Sequence, residues 1–207
     1  MLKAILFDID GVLMDSFDAN LAYYQKILSA AGYPAPTEAE YRSIFHLPFV
    51  EALQHFAQPK DGAELERIKM IGERAYYPME RLKAPRGVNE TLHTLAKTYR
   101  LGIVSSRRRV GIERYFAFAG TKECFSVVIG REETRRPKPD PEPLLLAAAG
   151  LAVPAKDCAY IGDAHTDIEA GLAAGMKTVL FGDAEHSSAH ARVQTFAELP
   201  SVLAVLE

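Results

Sequence analysis

The architecture of this chain turns on "AILFDIDGVLMDS", residues 4–16. Four apolar residues from Ala4 to Phe7 form a run of the kind found in strands buried on both faces. Two carboxylates, Asp8 and Asp10, follow at once, with Gly11 behind them. Aspartate weakens a β-ladder and belongs in turns, so the pair marks the end of the strand. Two acids set so close together also need a chemical reason.

Runs of the same character recur at residues 101–104, 125–129, 159–161 and 178–181. Segments of helical length lie between the later ones, at 88–98, 109–119, 141–150 and 165–175. This alternation predicts an α/β fold with a doubly wound parallel sheet and helices on both faces. About seventy residues separate Ser16, the end of that stretch, from the helix at 88, too many for a plain crossover. Residues 17–80 read as helical throughout. Leu21, Tyr24, Ile27, Leu28 and Ala31 recur at helical spacing until Gly32 and Pro34 stop the run, and Thr37 and Glu40 have capping-box spacing. Further helical pieces are expected at 37–45, 48–57 and 63–77. The simplest organisation is a core from residues 1–15 and 81–207 with an inserted helical domain from 16–80, and "PMERLKAPRG" (78–87) as the return linker.

At 207 residues the chain is long enough for a substantial core. With 24 Lys plus Arg against 27 Asp plus Glu, the net charge of -3 gives no general attraction to nucleic acid or to an anionic membrane. Anion binding must therefore be local. Cys124 and Cys158 show neither CxxC nor metal spacing and read as reduced packing residues. No stretch approaches the roughly 20 apolar residues of a membrane span, and Asp8 interrupts the only N-terminal apolar run. The expectation is a soluble, cytoplasmic protein, monomer or homodimer, whose partner is a small molecule.

In open α/β sheets the residues just past each strand converge at the carboxyl edge. Here they are Asp8 and Asp10 after the first strand, Ser105 and Ser106 after the second, Lys138 in the "RRPKPDP" loop after the third, and Asp163 and Asp167 in "GDAHTD" after the fourth. Four carboxylates at one edge repel each other unless a cation joins them. A hard divalent ion, Mg2+ above all, suits oxygen donors such as Asp8, Asp163 and the Asp10 backbone carbonyl, with Asp167 behind them. A hydroxyl from Ser105 and the point charge of Lys138 suit a phosphoryl group. Asp8 is then a candidate nucleophile and Asp10 a candidate acid/base.

At these positions the chain resembles the haloacid dehalogenase-like superfamily, specifically its phosphatases with a small helical cap. "FDIDGVLMDS" resembles the family's DxDG segment, Ser105 its Ser/Thr after strand two, Lys138 its lysine motif and "GDAHTDIEAG" its acidic motif. The resemblance implies a Rossmann-like core, with Asp8 as nucleophile, Asp10 as acid/base, Ser105, Ser106 and Lys138 on the phosphate, and Asp8, Asp10 and Asp163 on Mg2+. It implies hydrolysis of a small phosphorylated metabolite through an aspartyl-phosphate, in the manner of phosphoglycolate phosphatases. A β-phosphoglucomutase-like phosphosugar mutase and a pyrophosphatase are the alternatives. The family's dehalogenases lack the second aspartate, which is present here.

For substrate selection, Arg42 and His46 are spaced to share a face of a cap helix. The run Arg107 to Arg109 is either an anion-selecting rim or a solvated helix start, and Arg107 is carried forward as a candidate. Tyr23, Tyr24, Phe45 and Phe49 read as core of the inserted domain.

Overall fold

The computed structural model describes residues 1–184 and 188–206. Their strands are β1 (Ala4–Phe7), β2 (Arg100–Val104), β3 (Phe125–Ile129), β4 (Cys158–Gly162), β5 (Lys177–Phe181) and β6 (Ala191–Val193). All pair in parallel in the order β3-β2-β1-β4-β5-β6. Central β1 pairs Phe7 with Ile103 of β2 on one side and with Ile161 of β4 on the other. Successive connections therefore leave β1 in opposite directions, and the crevice at such a reversal opens beyond the strand ends. Asp8 follows directly on this strand.

Side chains alternate across the sheet. Ala4 and Leu6 of β1 and Cys158 and Tyr160 of β4 share one core layer with Leu144, Ala147 and Ala170. Those last residues belong to α7 (Glu142–Gly150) and α8 (His165–Ala173). Phe7 points to the other side, where its ring meets Phe125 edge-on at 6.3 Å. Phe125 also meets Phe116 of α6 (Arg109–Ala119), and α5 (Val88–Leu95) packs against α9 (Leu199–Leu206).

Two details of the sheet depart from the sequence reading. β3 is only partly buried, because it is an edge strand with a single neighbour. β6 and α9 lie beyond the elements read from the sequence, and the three residues of β6 are too short for a period.

The chain divides into two compact units, residues 1–15 with 83–206 of the described chain, and residues 16–82. The second consists of α1 (Phe17–Ala31), α2 (Glu38–Ile44), α3 (Phe49–Ala57), α4 (Gly62–Arg74) and a short 3-10 turn. The capping box at the start of α2 is made: the Glu40 N–H donates to Thr37 Oγ1 at 3.3 Å and the Thr37 N–H to Glu40 Oε2 at 2.7 Å. Tyr23 and Tyr24 are buried, Tyr24 stacks with Phe49 while Tyr23 meets it at a tilt, and the Tyr23 hydroxyl donates to the Gly72 carbonyl at 2.6 Å. These aromatics are the core of the helical unit.

Candidate active site

β1 delivers Asp8 into the crevice and the turn behind it fixes the carboxylate. The Asp8 N–H donates to the Ile161 carbonyl of β4 at 2.9 Å, extending the ladder by one bond. The next amide, from Ile9, donates to Asp8 Oδ1 at 2.7 Å. Asp8 Oδ2 accepts from Lys138 Nζ at 2.9 Å. Both oxygens thus have fixed donors in a site where Asp8 is only 8% exposed.

Lys138 reaches the same point from the loop after β3. Its ammonium donates to Asp8 Oδ2, to Asp167 Oδ1 at 2.5 Å and to the Tyr160 hydroxyl at 2.9 Å, using all three protons. Burial by itself pulls an ammonium pKa down, but Asp167 and then Asp8 outweigh it and hold Lys138 well above its ordinary value. The Tyr160 hydroxyl also lies 2.9 Å from Asp167 Oδ1. Asp167, buried in the first turn of α8, accepts the Ala164 N–H at 3.1 Å through Oδ2. It caps its helix and anchors the lysine at once.

Even with the lysine in place, negative charge is in excess. Burial raises the Asp8 pKa from 3.8 to about 7, with Asp167 and Asp10 adding to the rise and Lys138 opposing it. Asp163 is pushed well above the usual carboxylate range by burial, then by Asp167 and Asp8. One carboxylate oxygen from each of Asp8, Asp163 and Asp167 lies within 4.8 Å of the others. Gly11 makes this crowding feasible. Its φ of +72° is left-handed, and a Cβ there would sit 1.9 Å from Asp163 Oδ2. An all-oxygen donor set whose members are driven toward protonation fits a hard divalent cation.

Ser105 follows β2, is buried, and accepts the Arg107 N–H on Oγ at 3.3 Å. Ser106 is the next residue of that turn and is half-buried. Asp10 does not join the other carboxylates; its side chain is gripped by Arg107, which donates Nε to Oδ2 and Nη2 to Oδ1, both at 2.7 Å.

Residues 5–181 match the family of haloacid dehalogenase-like hydrolases. The chain belongs to that family. It is 32% identical over 180 residues to the phosphoglycolate phosphatase of Xanthomonas campestris pv. campestris, covering 86% of this chain and 81% of the relative. It is 31% identical over 179 residues to the pyrophosphatase PpaX of Bacillus velezensis, covering 84% and 81%. The β-phosphoglucomutase of Clostridium difficile shares the fold, with a TM-score of 0.85 at 22% identity over 100% of this chain and 97% of that one.

In this haloacid dehalogenase-like hydrolase the structure also revises some sequence expectations. Arg42 and His46 do not share a helix, because α2 ends at Ile44 ahead of the Leu47-Pro48 step and His46 falls in the turn. Arg42 instead pairs with Glu38 at 2.6 Å and lies over the Phe17 ring at 4.4 Å. Arg108 and Arg109 pair with Glu132 and Glu133, and the Arg109 N–H donates to Glu132 Oε2 at 2.9 Å. Those carboxylates offset the unfavourable charge at the start of α6. Tyr160 was missed, because in an apolar strand it reads as core; a buried phenol needing a partner was the available signal.

Proposed function

We propose that this hydrolase is a Mg2+-dependent phosphatase that cleaves a small phosphorylated metabolite through an aspartyl-phosphate on Asp8. The observation that carries the reading is the setting of Asp8, a buried carboxylate held by Ile9 N–H and Lys138 Nζ beside two further carboxylates. In the first step an Asp8 oxygen attacks phosphorus and the ester P–O bond breaks, while Asp10 gives its proton to the leaving oxygen. In the second, water attacks phosphorus and passes a proton to Asp10 as the P–O bond to Asp8 breaks, releasing inorganic phosphate. Ser105, Ser106 and Lys138 hold the phosphoryl oxygens. Asp8, Asp163 and the Asp10 carbonyl would hold Mg2+, with Asp167 orienting them, and the bound ion supplies positive charge against those oxygens. Asp10, which the family's dehalogenases lack, favours phosphoryl transfer over halide release.

The helical unit of residues 16–82 is the proposed cap that selects the substrate, with Arg42 and His46 its candidate contacts. Relatives named for phosphoglycolate and for pyrophosphate at nearly equal identity support a small, strongly anionic substrate without choosing between them. Two free, buried cysteines support a reducing, cytoplasmic setting. Among the described residues no helix is long and apolar enough to cross a membrane.

The test is phosphate release across phosphoglycolate, pyrophosphate, sugar phosphates and nucleotides, each with Mg2+ and with chelator. Mg2+-dependent release from one or more members is the expected result. Release that persists undiminished in chelator, or none from any member, would overturn the reading.

A further inference from the structure

We infer that Arg107 is the positioning residue of the acid/base: it acts through Asp10, setting where that carboxylate points, and does not itself hold substrate. The inference rests on the phosphatase reading above. It assigns a role to a residue of the Arg107 to Arg109 run after β2, which the proposed chemistry leaves unused.

The geometry is that of a built clamp. Nε and Nη2 of one guanidinium meet the two oxygens of Asp10 at 2.7 Å each, a planar fork on a planar acceptor. Such a pairing fixes both side-chain torsions of the aspartate, where a single hydrogen bond would leave rotation about the carboxylate axis. The Arg107 backbone is itself held at two points. Its N–H donates to Ser105 Oγ at 3.3 Å, and its carbonyl accepts the Arg131 N–H at 2.9 Å. Its side chain is only 12% exposed. Neighbouring Arg108 and Arg109 are bound instead to Glu132 and Glu133 and are far more exposed. Arg107 is spent on a residue of the proposed chemistry. The contact also ties the turn after β2, which carries the phosphate-binding hydroxyl, to the turn after β1, which carries nucleophile and acid/base.

A residue acting only through Asp10 must fail in the way Asp10 fails. The experiment uses Arg107→Met, which keeps the length of the side chain without the fork, and Arg107→Lys, which keeps the charge without the fork. Each is made in the wild-type and Asp10→Asn backgrounds, and folding is checked by thermal melts. The substrates are the ester that the wild type turns over fastest and p-nitrophenyl phosphate. Steady-state kinetics are read beside the fraction of phosphorylated protein in acid-quenched samples, measured by intact mass. Misplacing a catalytic group by about 1 Å costs on the order of 100-fold, so kcat of Arg107→Met is expected to fall roughly 10- to 100-fold. KM should change little, phosphorylated protein should accumulate, and no further loss should appear in the Asp10→Asn background. Arg107→Lys should fall between the two. A raised KM at unchanged kcat would make Arg107 a substrate ligand and overturn the inference. Unchanged kinetics, losses that add to those of Asp10→Asn, or a loss without phosphorylated protein would also overturn it. A wild type that turns over no ester fails the phosphatase reading itself and takes the inference with it.

Discussion

Lys138→Met removes the cation shared by Asp8 and Asp167 from a site where the ammonium is only 5% exposed. Breaking a buried ion pair from one side costs about 3 to 5 kcal/mol, because the partner is left charged and unpaired. Burial of the methionine side chain returns about 1 kcal/mol, so a net loss of about 2 to 4 kcal/mol is expected. For a chain of this size that lowers Tm by roughly 5 to 15 °C. The loss should depend on pH. The folded pKa of Asp8, about 7, lies above its unfolded value of 3.8, so the folded state binds the extra proton between them and stability falls as pH rises through that window. At pH 5 Asp8 carries its proton and needs the lysine less; at pH 8 it is ionised and needs it most. The assay is urea and thermal unfolding of wild type and variant at pH 5 and pH 8 in metal-free buffer. A loss below about 1 kcal/mol at pH 8, or one no smaller at pH 5, would refute the electrostatic account of this site.

Gly11→Ala places a Cβ 1.9 Å from Asp163 Oδ2 at a φ of +72°. It should cost about 1 to 2 kcal/mol in backbone strain alone and, by displacing Asp163, weaken Mg2+ binding measured by calorimetry. Tyr160→Phe deletes a hydroxyl that contacts both Lys138 and Asp167. Denaturant melts should show a loss of about 1 to 3 kcal/mol; an unchanged midpoint would remove Tyr160 from the network. Asp8→Asn should abolish turnover, whereas Asp10→Asn should leave phosphate trapped on the protein, read by intact mass; wild-type rates from either would refute the assigned roles.

Much of the core was legible because its signals are local. A strand buried on both faces must be apolar, so β1, β4 and β5 stand out as short runs, and α6 was expected over the residues it occupies. The helix ends were less legible. α4 stops at Arg74 where the reading continued to Tyr77, because Ala75 turns extended and no residue type announces that change. The candidate site was legible as a set of strand-end polar residues, since Asp8, Ser105 and Asp163 follow apolar runs and Lys138 lies in the loop after the third. Tyr160 was hidden by the same logic, its ring being as apolar as its neighbours.

The sequence by itself determined which chemical groups stand at the ends of the strands and in what order. Chain order and residue type suffice for that, because a parallel sheet brings its carboxyl ends together. Pairing among those groups belongs to tertiary structure alone. The sequence could not say that Lys138 would spend its three protons on Asp8, Asp167 and Tyr160, or that Arg107 would close on Asp10, 97 positions away, instead of facing solvent with Arg108 and Arg109. A charged side chain carries no record of its partner: the choice is made by distance and burial, and both exist only once the strands have met.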